Sequence, residues 1–170
     1  MKPPDEAKLQ RIADALNAWA PALLGSLLQA TKTRLLVRPN GEDLDAYLAT
    51  RQLADDATSI PWPDSEAGLR IGNVHGQDWY FTLAGGRLAA PFVGNRTVRL
   101  RAPGVAPFLY GRPIGRDRVD RGPPDEGPDR RVLVVDPDGA FLGLAKWRPN
   151  SPRDVLLPIT DLGWYLREGG

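Results

Sequence analysis

Arg131-Val132-Leu133-Val134-Val135-Asp136-Pro137-Asp138-Gly139-Ala140-Phe141-Leu142-Gly143-Leu144-Ala145-Lys146-Trp147 is two runs of apolar residues around an Asp-Pro-Asp-Gly turn sequence. Val132, Val134 and Val135 are branched at Cβ, which favours the extended backbone of a strand over a helix. Asp, Pro and Gly each favour a turn for a different reason: a side-chain acceptor, a fixed φ and a free φ. The stretch therefore predicts a strand over 131–135, a tight turn over 136–139 and a returning strand over 140–147. Both strands read as buried.

The same pattern extends outward from this hairpin. Thr97-Val98-Arg99-Leu100-Arg101 alternates apolar and polar residues, placing Val98 and Leu100 on one face and Thr97, Arg99 and Arg101 on the other. Pro103-Gly104 reads as a turn. Residues 115–130 are rich in Gly, Pro, Arg and Asp, with little apolar content, and read as a surface loop. Val155 to Ile159 is a further strand, and Asp161 to Leu166 a turn or short helix. Short strands between Gly and Pro turns from about residue 90 onward predict a β-rich C-terminal domain over 89–170.

The first half is built differently. Leu9, Ile12, Ala13, Leu16 and Ala20 recur at helical spacing, so residues 5–20 predict an amphipathic helix. Pro21 interrupts it, and Ala22 to Gln29 restarts it with four leucines for the core. Thr33 to Arg38 is a strand, with Pro39-Asn40-Gly41 as a turn. Asp43 to Ala54 reads as helical. Asp55-Asp56 and Ile60 to Asp64 read as loop, Trp79 to Leu83 as a strand ended by Gly85-Gly86. The expectation is an N-terminal α/β domain over 1–88, giving an α+β chain overall.

Composition excludes several chemistries. The chain has 170 residues and no cysteine, so disulfides, thiolate metal sites and cysteine nucleophiles are out. No apolar run reaches the ~18 residues that span a bilayer, and the polar start is unlike a secretory signal. A cytoplasmic protein with no membrane association is the expectation. His75, in Gly72-Asn73-Val74-His75-Gly76, has no nucleophile beside it and reads as a structural loop residue. Asp136 and Asp138 lack the continuation of a calcium loop, and no glycine-rich stretch leads into a lysine as a phosphate cradle does. No cofactor, no metal and no enzymatic activity are expected. Net charge is +1, unevenly placed: residues 1–90 carry nine Lys/Arg against eleven Asp/Glu, residues 91–170 thirteen against ten. Nearly all the cations are arginines, whose planar fork suits phosphate.

Three C-terminal segments together resemble a known family. They are Leu88-Ala89-Ala90-Pro91 leading to Phe108-Leu109-Tyr110-Gly111, the hairpin with Leu142-Gly143-Leu144-Ala145, and the closing Asp161-Leu162-Gly163-Trp164-Tyr165-Leu166-Arg167. Their order resembles the PUA domain and, more narrowly, the Nip-seven family of ribosome-biogenesis factors. That resemblance implies a C-terminal PUA-type β pseudo-barrel after a pre-PUA-like α/β domain. It implies RNA binding, with ribosomal RNA and ribosome-assembly proteins as partners. It also implies that basic residues just after the Leu-Gly strand carry the RNA: Lys146, Arg148 and Arg153 here.

The residues themselves support the same stretch. RNA binding needs cations for phosphate and flat rings for bases. Lys146, Trp147 and Arg148 offer both within three positions, and Arg99 and Arg101 offer a second basic row. The loop arginines, Arg112, Arg116, Arg118, Arg121, Arg130 and Arg131, alternate with acids as solvated surface does. The alternative is a protein-interaction module on the same scaffold, favoured by near-neutral charge and by the Trp- and Pro-containing stretches at Trp62 and Trp147.

Overall fold

The computed structural model describes residues 2–59, 68–123, 128 and 130–163, with the side chains of 57–59 excepted. Two compact units divide the chain, Met1–Phe92 and Val93–Gly170.

In the first unit the chain order is α1 (Glu6–Asn17), α2 (Leu23–Thr31), β1 (Arg34–Asn40), β2 (Asp43–Ala49), α3 (Arg51–Ser59), β3 (Leu69–His75), β4 (Asp78–Phe81) and α4 (Leu83–Ala89). The expected domain join at residue 88 falls inside α4. Asp5 caps α1, accepting from the Lys8 amide at 2.9 Å and from its ammonium, and those hydrogen bonds hold its carboxyl below the usual carboxylate range. The four strands form an antiparallel sheet in sequence order. Helix α3 packs on Leu36, Tyr47 and Ala49. Leu35, Val37, Leu44, Ala46 and Leu48 alternate with these and are buried too.

Burial on both faces corrects the helical expectation for Asp43 to Ala54. A strand covered on both sides loses the alternation that marks one. Its acid is covered as well: Asp45 is 1% exposed and accepts from Arg38 Nη2 at 3.0 Å and Arg70 Nη2 at 2.6 Å. Only residues 51–54 of the expected helix are helical, as the start of α3, and Asp55-Asp56 continue it rather than forming a loop. Pro39 and Asn40 end β1, so the turn falls at Gly41-Glu42. His75 ends β3, and its Nδ1 lies 2.7 Å from Asp43 Oδ1.

Gly85-Gly86 lie inside α4, not in a turn. Thr82 caps that helix, its Oγ1 accepting from the Gly85 amide at 3.1 Å while donating to Arg70 O at 2.7 Å. A Cβ at Gly85 would lie 1.8 Å from Ile71 O. Glycine is there because α4 touches the β3 backbone directly. Gly85→Ala must push helix and strand apart, an overpacking expected to cost about 1–3 kcal/mol. Chemical denaturation of the variant checks this.

The second unit runs β5 (Thr97–Leu100), α5 (Ala102–Leu109), β6 (Ile114–Gly115), β7 (Val119–Arg121), β8 (Arg130–Val135), β9 (Phe141–Trp147) and β10 (Asp154–Asp161). Among the described residues its strands make a mixed, nearly closed barrel-like sheet in the order β6-β10-β9-β8-β5-β7, with β5 and β8 parallel. Val98, Leu100, Phe108, Val132, Val134 and Trp147 are among the residues of its core. The hairpin forms as its sequence predicts: Asp136 Oδ1 accepts from the amides of Asp138 at 2.9 Å and Ala140 at 2.8 Å, closing the turn.

Two expectations in this unit are corrected. Pro103-Gly104 open α5 instead of making a turn. Proline fits a first helical turn, whose amides have no partner within the helix, and Gly104 is buried close against Arg118 O. The expected loop over 115–130 starts at the end of β6, whose Ile114 is buried, and contains a turn at Arg116–Arg118 and β7. Strands of two or three residues are too short to show a period. The expected loop at Ile60 to Asp64 and the chain after Gly163 lie outside the described residues. Among those described, no helix is long and apolar enough to cross a membrane.

Candidate nucleic-acid interface

Lys146 sits near the end of β9 with its side chain exposed. Across the antiparallel ladder its partner on β8 is Arg131. Directly opposed residues share a face, with Cβ atoms about 4.5–5.5 Å apart. The two cations therefore stand side by side on the face opposite Val132 and Ala145, which belong to the core. The pair sets two basic side chains next to each other at one end of the sheet.

The β9–β10 connection continues this end. The Arg148 amide donates to Val155 O at 2.8 Å, and the Ser151 amide to Arg148 O at 3.1 Å, so the segment is a short ordered turn. Arg148 is half-buried and Arg153 exposed. Arg116 reaches the same turn, donating from Nη2 to Pro149 O at 3.0 Å with its guanidinium 5.3 Å from the Trp147 ring centre. Asp154, which opens β10, puts an acid beside the cations. Lys146, Arg148 and Arg153 thus come together, joined by Arg116 and Arg131, which read as plain surface in the sequence.

Trp147 does not join them as a stacking platform. Its side chain is 1% exposed and lies in the core, with Gly122 against one edge of the ring. A base cannot reach a ring buried on the inner face. Among the described residues of this unit the exposed aromatic is Tyr110, 65% accessible, just past the end of α5. Gly163 packs directly on Leu109 O, so Tyr110 lies by the C-terminal end of β10, where Leu162 is exposed too. That is about 26 Å along the strand from Arg153 at ~3.3 Å per residue.

The second basic row is also differently built. β5 ends at Leu100, and Arg101 is the residue from which α5 starts, its amide donating to Arg118 O at 2.8 Å. The ladder partner of Arg99 is Arg121 on β7. Arg99 donates from Nη1 to Pro137 O at 3.1 Å, which ties it to the hairpin turn. Trp62 lies outside the described residues.

Residues 96–170 match the family model of the UPF0113 PUA domain. This places the β-rich unit with PUA domains, as its sequence led one to expect. A UPF0113 protein of Aeropyrum pernix is 35% identical over 109 residues, covering 61% of this chain. The aligned part is 58% of that relative's length. The PUA-type fold extends to solved structures of low identity. A conserved PUA domain protein from Thermoplasma acidophilum superposes with a TM-score of 0.61 over 95% of this chain and 93% of its own, at 11% identity. A hypothetical protein from the hyperthermophilic archaeon Pyrococcus horikoshii gives 0.61 over 94% and 92%, at 10% identity. At such identities the likeness concerns fold alone.

Proposed function

We propose that this chain binds RNA through its PUA-type unit and does so without chemical turnover. The observation that carries the reading is the alignment of Lys146 with Arg131 beside the Arg148–Arg153 turn, on a domain type known for RNA binding. Lys146, Arg131, Arg148 and Arg153 hold the phosphate backbone, while Tyr110 receives an unstacked base at the other end of β10. Electrostatic gripping makes the affinity fall with salt. Fluorescence anisotropy with a single-stranded RNA at two salt concentrations tests this: affinity that does not change with salt removes the phosphate contacts from the account. In the same assay Tyr110→Ala is expected to weaken binding by about 1–3 kcal/mol, the usual contribution of one stacked base, with the salt dependence unchanged.

Ribosome biogenesis or pre-rRNA processing is the finer reading, supported by the order of the three Nip-seven-like segments. It is tested by preference for ribosomal RNA fragments over unrelated RNA of equal length. The exposed Tyr110, Ile159 and Leu162 in this unit favour one second reading, in which this end of the unit docks a protein. A partner that co-purifies after nuclease treatment and is lost on Tyr110→Ala would favour it.

A further inference from the structure

The N-terminal unit carries a basic cleft of its own. It measures about 550 Å³ and is lined by Leu28, Gln29, Lys32, Thr33, Arg34 and Arg51. Three chain segments meet there: the end of α2, the start of β1 and the start of α3. Lys32 ends α2 in the left-handed region at φ 53°, which reverses the chain into β1 and keeps Lys32 close to Arg34. All three cations are exposed. Arg34 Nη1 is held by Asp55 Oδ1 at 2.8 Å. Among the described residues no carboxylate is paired with Lys32 or Arg51.

The grouping runs against the balance of this half of the sequence, where acids outnumber bases. Thr50 Oγ1 already accepts from the Leu53 amide at 3.3 Å, so the charge at the cleft comes from side chains and not from an open helix end. A fixed guanidinium, a second guanidinium and a mobile ammonium around a cleft match the needs of a phosphate group: a bidentate fork and a point charge. Gln29 and Thr33 add neutral polar groups for a ribose.

We infer that this cleft binds a phosphate of the RNA backbone, as a second contact separate from the PUA-type unit. The inference rests on the RNA-binding reading above. RNA held only by the C-terminal unit would be indifferent to Lys32 and Arg51; RNA held by both units releases additional counterions.

The test is the full chain carrying Lys32→Gln/Arg51→Gln, compared with the unsubstituted protein and with Lys146→Ala/Arg148→Ala. Each is titrated with the same single-stranded RNA across a salt series. Both replaced side chains are exposed, so an unchanged melting curve is the control for folding. The lost phosphate contact is expected to flatten the slope of log affinity against log salt by about 0.7, the value for one phosphate on a single strand. An unchanged slope and affinity in the cleft variant, with RNA binding intact in the unsubstituted protein, overturns this inference and leaves the PUA-type interface standing. No RNA binding by the unsubstituted protein overturns both. A parallel titration with ATP alone separates the sources of phosphate. Binding of ATP that the cleft variant loses, with the RNA slope unchanged, assigns the cleft to a free nucleotide and overturns its role in RNA binding.

Discussion

Trp147→Ala is expected to destabilise the C-terminal unit by about 3–5 kcal/mol, the range for deleting a large buried aromatic. The ring is 1% exposed and packs in the core with Val132, Val134 and Leu156, so its removal leaves a cavity among them. Two further contacts depend on it. Gly122 sits where a Cβ would come within 3.1 Å of the ring, and Arg116 lies over it at 5.3 Å. Losing the ring therefore also removes one contact of Arg116, which donates to Pro149 O in the basic turn. Trp147→Phe keeps much of the volume and should cost less. Thermal unfolding ranks the two variants, and RNA binding measured well below the melting temperature completes the test. A buried-core role requires Trp147→Phe to bind RNA nearly as the unsubstituted protein does. A Trp147→Phe protein that melts normally and loses RNA would return the ring to the interface.

The sequence misleads at this residue because Lys146-Trp147-Arg148 is read by composition and a strand is read by alternation. On β9 successive side chains face opposite sides. The two cations and the ring between them therefore could not all point the same way while the strand lasted. That rule was available without a structure. The opposition of Lys146 and Arg131 was not. Counting back from the Asp136–Ala140 turn with regular pairing sets Ala145 against Arg131. An irregularity between Val134 and Val135 shifts the register by one, which sets Lys146 there instead. Such a bulge leaves no mark in composition, yet it decides which residues are neighbours across the sheet.

Most of the C-terminal unit was legible because a strand with one buried face alternates and its turns are spelled in Asp, Pro and Gly. β5 is the case of alternation, and the β8–β9 hairpin, buried on both faces, was legible from its turn and its β-branched residues. In the N-terminal unit β2 hid because both its faces are covered, and Gly85-Gly86 hid because glycine serves close packing there as well as turns. The tyrosine that replaces Trp147 as the accessible ring was present in Phe108-Leu109-Tyr110-Gly111. Only the fold tells Phe108, in the core, from Tyr110, 65% exposed.

Reversing the opposed pair, with Lys146→Glu and Arg131→Glu together, is expected to weaken RNA binding at least about 100-fold at low salt. A hydrogen bond to a charged group contributes ~1.5–3 kcal/mol, and each 1.4 kcal/mol is about tenfold in affinity. The first lost contact supplies about tenfold even at the low end, and the two new carboxylates, which repel phosphate, supply the rest. The single variants divide the effect. Opposed side chains on one face touch the same stretch of backbone, so the two losses should not add: the second reversal should cost less than the first once the phosphate has moved away. Independent contacts at separate phosphates would give simple additivity. Arg87→Glu, an exposed arginine near the end of α4, changes the charge equally and is the control for net charge alone. Fluorescence anisotropy on the five proteins, each first checked by its melting curve, separates the outcomes. If Arg87→Glu weakens binding as much as Lys146→Glu, the affinity reflects overall charge, and the ladder pair has no special place in it. If Lys146→Glu alone removes most of the affinity while Arg87→Glu removes little, the phosphate sits on the outer face of β8 and β9, where the shifted register puts both cations.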